Sequence, residues 1–196
     1  MGAPGADSES DDAALAARVA AGDRAAYRTL VRRHAGGIHR YATRLVRDPA
    51  DAEDVTQETF LRLWTKARDY DPVARLTTWL YRIAHNLAVD RLRARGRLQA
   101  LDNPDIEPAP ESQRQTELIE SKQRAEALAA ALDTLPPRQA SALALVHLQG
   151  MSGAEAAEVL GLSAEALESL LSRGRRGLKA RLIASRAVDS RNASNE

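Results

Sequence analysis

The 196-residue chain contains no cysteine. That absence removes disulfide frameworks, thiol nucleophiles and thiolate metal sites together. Aromatics are scarce as well, with two Trp, four Tyr and one Phe, so any core must be built mainly from aliphatic side chains. No apolar run approaches the ~20 residues of a membrane-spanning helix. Residues 1–12 carry four acids and no base, the reverse of a secretory leader. The chain therefore reads as cytoplasmic, with no membrane insertion. Catalytic signals are missing too. His34 and His39 stand five apart, which does not place them on one helix face, while His85 and His147 are isolated. There is no HExxH, no GxSxG and no phosphate-cradling glycine loop. The acids Asp48, Asp51, Glu53 and Asp54 lack the central glycine and ligand spacing of a calcium loop, and helix capping accounts for them more simply. Neither an enzyme nor a bound cofactor or metal is expected.

Net charge is also small, at +1, which at first argues against a polyanionic partner. Divided where composition shifts, the chain says otherwise. Residues 1–12 balance to −4, residues 13–97 to +8 (seventeen bases, nine acids), residues 98–134 to −5 and residues 135–196 to +2. A strongly basic block is offset by an acidic start and an acidic middle, an asymmetry that points to a nucleic-acid-facing surface.

Apolar residues recur at helical spacing almost throughout, with no convincing period-two alternation, so the expected fold is all-α. Helices are predicted over Asp11 to Ala21 and Asp23 to Val46, separated at Gly22. Asp48-Pro49-Ala50-Asp51 reads as an N-cap followed by a proline at the first helical position, opening a helix to about Ala67. Asp71-Pro72 reads as the start of a further helix to about Arg97. Between Leu98 and Thr116 the periodicity stops among prolines and acids, which predicts a flexible linker and a domain boundary. A helix from about Glu117 to Asp133, a break at Leu135-Pro136-Pro137 and three more helices follow. Ser152-Gly153-Ala154-Glu155 is a capping box, and Gly161-Leu162-Ser163 is a glycine stop followed by a serine cap. Helix, short turn, helix is the helix-turn-helix pattern, shared by DNA-binding modules and by ordinary helical corners.

Helix faces carry the functional signal. In the helix after Asp48, the residues Ala52, Val55, Thr59, Leu63 and Ala67, widened by Phe60 and Trp64, form a core stripe. Asp54, Gln57, Glu58, Leu61 and Arg62 lie opposite, either a solvated face with one leucine or a docking face for a partner helix. In the helix after Asp71, Leu76, Trp79, Leu80, Ile83, Ala84 and Leu87 face inward, with Tyr81 partly exposed. Arg82, Asn86, Val89 and Arg93 share another face, with side chains of the kind that bind phosphates and base edges. In the last helix, Leu167, Leu171, Leu178 and Leu182 face inward, and Glu165, Ser169, Ser172, Arg173, Arg176 and Lys179 outward.

Together, the run from Asp51-Ala52-Glu53-Asp54 through Gln57-Glu58-Thr59-Phe60-Leu61-Arg62-Leu63-Trp64, then Thr78-Trp79-Leu80-Tyr81-Arg82-Ile83-Ala84-His85-Asn86, then Leu135-Pro136 ahead of the helix-turn-helix, resembles the bacterial extracytoplasmic-function (ECF) sigma factors of the sigma-70 family. The resemblance covers about residues 12–97 and 117–183. It implies two small helical domains joined by a flexible acidic linker: a disordered acidic tail over 1–11, a sigma-2 domain over 12–97, a linker over 98–116, a sigma-4 domain over 117–183 and a tail over 184–196.

The resemblance further implies that Asp51, Glu53, Asp54, Gln57, Glu58 and Leu61 dock on core RNA polymerase, whose beta-prime and beta subunits are expected partners. Arg75, Arg82, Asn86, Val89 and Arg93 would hold the opened −10 element of promoter DNA. Glu165, Ser169, Ser172, Arg173 and Arg176 would face the −35 element. An anti-sigma factor is the expected regulator, and a stress or envelope regulon the expected output. Glu168 and Leu170 depart from the family, which usually has a basic residue and an Arg there, and Gly174 replaces a common Ala. The competing readings are a stand-alone helix-turn-helix regulator and a sigma mimic that sequesters a partner.

Overall fold

The structure, a computed structural model, describes residues 6–96 and 130–192, with side-chain environments over 11–96 and 130–180. Among these residues it is helical throughout. Helix α1 (Ala6–Ala20) and α2 (Arg24–Val46) meet at Gly22, whose φ of 89° suits glycine. Asp23 caps α2, accepting from the backbone N–H groups of Ala25 and Ala26. Helix α1 starts five residues earlier than expected, so part of the stretch expected as an acidic tail is helical. Acids near a helix N-terminus are favoured by the helix dipole. Helix α3 (Pro49–Lys66) has the predicted Asp48 cap and N-terminal proline, and a short 3₁₀ turn, Ala67–Asp69, ends it.

Helix α4 runs over Leu76–Ala94 and corrects the predicted start at Asp71-Pro72. There the Asp71 carboxylate accepts from Val73 N–H and the Asp71 carbonyl from Ala74 N–H, closing a turn instead of a helix. Asp followed by Pro serves either purpose, and only the continuation decides. Residues 130–133 end a helical segment. The predicted linker and the rest of the helix from Glu117 lie outside the described residues. Helix α5 (Pro137–Leu143) continues through a π-helical turn, Ala144–Leu148. Helix α6 (Gly153–Leu160) carries the predicted capping box, with both reciprocal bonds present. Gly161 (φ 63°) turns the chain into α7 (Ala164–Asn192), which runs nine residues past 183 into the stretch expected as a tail.

Helices α1 to α4 pack around Leu30, Ile38, Leu45, Ala52, Val55, Leu63 and Leu80, and α5 to α7 around Leu143, Leu145, Val159 and Leu167. The two groups touch: α5 rests on α2 and α6 on α4, and the buried residues form a cluster that runs through both. Tyr81, expected to be partly exposed, is buried, and so is His85. Among the described residues no helix is long and apolar enough to cross a membrane.

Candidate functional site

Three surfaces carry the residues singled out by sequence. On α3 the predicted core stripe is fully buried except for Trp64, which is half-buried. Its opposite face presents Glu53, Asp54, Gln57, Glu58 and Leu61, and Leu61 is 53% exposed. The polar members are braced along the helix. Gln57 Nε2 donates to Glu53 at 3.0 Å and Arg62 Nε to Glu58 at 3.0 Å. Asp51 does not belong with them. It is 3% exposed and its Oδ1 faces Arg95 Nη2 at 2.8 Å and Arg91 Nη1 at 3.2 Å, so it ties the start of α3 to the end of α4. Asp54 reaches Arg91 at 2.9 Å while staying largely exposed.

Beside Leu61 lies a groove of about 380 Å³ lined by Arg24, Tyr27, Arg28, Leu61 and Trp64. Tyr27 and Trp64 form its wall edge to face, with ring centroids 5.3 Å apart. Sequence reasoning missed the α2 side of this groove. Its faint signal is the aromatic pair at positions 27 and 64, each at the margin of an apolar stripe.

The α4 set divides. Asn86 and Arg93 stand exposed, Arg93 bonded to its neighbour Asp90 in a local pair at 2.7 Å. Arg82 Nη1 instead meets Glu158 of α6 at 2.6 Å. Arg75, at the N-cap of α4, donates to the Gly150 carbonyl at 3.2 Å and lies 3.7 Å from Glu155. Thr78, unremarked in the sequence, donates its hydroxyl to Glu155 at 3.0 Å. Burial pushes the Glu155 carboxyl up, but bonds from Ser152 and Thr78 and the charge of Arg75 outweigh it and hold the group below the usual range. Val89 lines a small cavity with His85, Arg138, Leu160, Leu162 and Leu170. Burial, and then the Arg138 charge, push the His85 imidazole down to about 4. Kept neutral, it can accept at Nδ1 from the Tyr41 hydroxyl, 2.9 Å away.

On α7, Glu165, Ser169, Ser172, Arg173 and Arg176 are all exposed along one side, as are Glu168 and Lys179. Leu167, Leu170 and Leu171 are buried. Bonds from its own backbone N–H and from Ser163 hold the Glu165 carboxyl below the usual range, so the head of this helix is anionic near neutrality. Gly174 is buried against α5, and a Cβ there would lie 2.9 Å from Leu143 Cδ1. Close approach of α5 thus accounts for glycine at this position.

Residues 30–98 match the Sigma-70 region 2 family and residues 125–178 the Sigma-70, region 4 family. The chain is 39% identical to the ECF RNA polymerase sigma factor SigE of Mycolicibacterium smegmatis over 165 residues, 82% of this chain and 64% of SigE, so it spans a little under two thirds of that relative. It is 35% identical to the ECF RNA polymerase sigma factor SigM of Mycobacterium tuberculosis, with 89% of this chain and 86% of SigM covered. The fold is also similar to CnrH solved with the cytosolic domain of CnrY, at a TM-score of 0.61 and 30% identity, covering 89% of this chain and 98% of CnrH. The sigma factor RpoE of Bartonella quintana, solved with the anti-sigma factor NepR, shares the fold at a TM-score of 0.61 and 24% identity, with 80% and 96% covered.

Proposed function

We propose, for a chain that belongs to the ECF sigma factors of the sigma-70 family, that it brings core RNA polymerase to promoters through the three surfaces just described. Docking falls to α3. An exposed leucine ringed by Glu53, Asp54, Gln57 and Glu58 suits a helical partner with an apolar stripe and basic flanks. The neighbouring groove with Arg24 and Arg28 extends that surface. Asp51 has a structural task instead, because its carboxylate is buried against Arg91 and Arg95.

Promoter opening falls to the turn before α4 and to α4 itself. Single-stranded DNA needs cations along its backbone and amides or hydroxyls at its base edges. Arg75, Arg82 and Arg93 supply the first, Asn86 the second, and Val89 an apolar contact. Unstacking a base costs a few kcal/mol, within reach of such contacts without ATP. The α6–α7 helix-turn-helix takes the −35 duplex. There Glu165 and Glu168 repel phosphate, so Arg173 and Arg176 carry the phosphate contacts and affinity depends on polymerase holding the module in place. The sigma-2 domain is assigned to 12–97, the sigma-4 domain to 117–183 and the linker to 98–116. An anti-sigma factor is assigned as regulator of a stress regulon, supported by the likeness to solved sigma factors held by protein partners.

The observation that carries this reading is Leu61, a large apolar side chain held out to solvent on a helix whose other apolar residues are packed. The test is transcription in vitro with purified core polymerase. Adding the chain should produce initiation at a cognate promoter, and Leu61→Ala should reduce it through weaker core binding. A chain that gave no initiation with polymerase yet shifted duplex DNA alone would refute the proposal and favour a stand-alone regulator.

A further inference from the structure

Two of the three acids on the exposed face of α3 already carry an arginine of this chain. Arg91 Nη1, from α4, reaches the Asp54 carboxylate at 2.9 Å, and Arg62 Nε, four residues past Glu58 on α3, reaches that carboxylate at 3.0 Å. Glu53 accepts from the neutral Gln57 amide at 3.0 Å and has no ion pair among the described residues. Both arginines therefore stand within the surface assigned to polymerase, and their charge is opposite to that of the acids expected to draw a basic partner there.

The two are held with different firmness. Arg91 is pinned from behind, because the same Nη1 lies 3.2 Å from the buried Asp51 carboxylate. A buried charge keeps its counter-ion close, since losing it would leave the charge without water or partner. Arg95 shares Asp51 at 2.8 Å and also reaches Asp48 at 3.2 Å, so Arg91 is not the sole counter-charge at Asp51 and stays available to Asp54. Arg62 makes an i,i+4 pair on its own helix, with both side chains 38% exposed. Such a pair opens into water at little cost.

From these contacts we infer that Arg62 and Arg91 are built-in competitors for the acids of the docking face, and that they set affinity for core polymerase below what those acids alone would give. The inference rests on the assignment of α3 to polymerase docking. A carboxylate offers about four lone-pair sites, so a cation of the partner can join Asp54 or Glu58 without evicting the arginine. What is lost is attraction, because a carboxylate already neutralised at contact distance draws a second cation far less than a bare one does. The result is a docking face that depends more on Leu61, and less on salt, than its three acids suggest.

The test measures affinity of the full chain for purified core polymerase at ~0.15 M salt, where charges more than ~8 Å apart are largely screened and the neighbours of each acid dominate. Arg91→Gln and Arg62→Gln remove the competing charges one at a time. Arg91→Lys and Arg62→Lys keep the charge. Each glutamine variant is also made with its acid neutralised, Arg91→Gln with Asp54→Asn and Arg62→Gln with Glu58→Gln. Arg91→Gln loosens the hold on Asp51 as well, but Arg95 remains there at 2.8 Å, and circular dichroism gives the folded fraction on which each affinity is based. Arg62, in an exposed pair, is the second variant with little effect on folding.

Both glutamine variants should bind core polymerase more tightly, by on the order of threefold for pairs as exposed as these, with the larger gain in Arg91→Gln because Arg91 is the one held in place. Both lysine variants should bind like the unaltered chain, and each gain should disappear once Asp54 or Glu58 is neutralised too. Unchanged or weaker binding by folded Arg91→Gln overturns the inference at Asp54, and the same result for Arg62→Gln overturns it at Glu58. A gain that persists without the acid also overturns it, since the arginine would then act by another route. If Leu61→Ala leaves core binding unaltered, α3 is not the docking face, and the inference falls with that assignment.

Discussion

Asp51 and Asp54 sit three residues apart in one acidic run, yet their surroundings predict opposite consequences for Asp51→Ala and Asp54→Ala. The Asp51 carboxylate is buried and accepts from two guanidinium groups. Hydrogen bonds to charged groups contribute ~1.5–3 kcal/mol each when buried, but Arg91 and Arg95 are 36% and 44% exposed, which discounts each bond to roughly 1 kcal/mol or less. An acid in the first turn of α3 adds ~0.3–1 kcal/mol through the helix dipole. The sum is about 2 kcal/mol, a fall in Tm of roughly 6 °C for a chain of this size.

Asp54 is 54% exposed and shares Arg91 with Asp51, so its pair contributes a few tenths of a kcal/mol, and the better helix propensity of Ala offsets that. Stability should stay within ~0.5 kcal/mol. Affinity for core polymerase should move the other way, falling on the order of tenfold for Asp54→Ala, as for loss of one contributing interface contact, and unchanged per folded molecule for Asp51→Ala. Thermal unfolding by circular dichroism and binding to immobilised core polymerase read the two effects separately. Equal loss of Tm in both variants, or weakened core binding by fully folded Asp51→Ala, would refute the division. Because Arg91 serves both acids, the two substitutions should be non-additive in stability.

Two further predictions follow from packing. His85 is held neutral down to about pH 4, whereas in the unfolded chain it takes up a proton near 6.5. The unfolded state therefore binds more protons between those values, and stability falls as pH drops from 6.5 toward 4, by on the order of 3 kcal/mol in total. Urea titrations across that window should show a flatter slope for His85→Gln, and an unaltered slope would place the titrating group elsewhere. Gly36 and Gly37, adjacent in α2, form a matched pair. Alanine at either gains ~1 kcal/mol of helix propensity, but a Cβ at 36 meets only the flexible end of Arg40 at 3.3 Å, whereas at 37 it lies 2.7 Å from the hydroxyl of buried Tyr81. Gly36→Ala should stabilise the chain, and Gly37→Ala should lose ~1–2 kcal/mol net to overpacking. Equal effects would mean that Tyr81 is free to move.

Much of the fold was legible because local rules decide it. Asp48-Pro49, the Ser152 capping box and the glycine stop at 161 each satisfy backbone groups within a few residues of themselves, so spacing alone locates them. The Asp71-Pro72 start failed because the same dipeptide closes a turn equally well, and the choice between the two depends on residues further along. The exposed polar face of α3 was legible as a stripe on one helix, Leu61 included. The burial of Asp51 was not, because it is set by Arg91 and Arg95, about forty positions away on another helix.

The same limit explains why the charge asymmetry was readable and its resolution was not. Segment balances located the basic block at 13–97, and a lone acid such as Glu158 reads as solvated surface when only its own helix is considered. Helical periodicity reports which side of a helix is apolar. It carries no information about which distant surface a charged side will meet, and Arg82 and Glu158 are 76 residues apart. The C-terminal segment balances to only +2 partly because Glu155 and Glu158 lie in it, and those acids stand on Arg75 and Arg82. The near-neutral net charge is therefore not just an average over segments. Where α6 meets α4 it is a local neutralisation in space, Glu155 and Glu158 facing Arg75 and Arg82 across two helices that lie far apart in sequence.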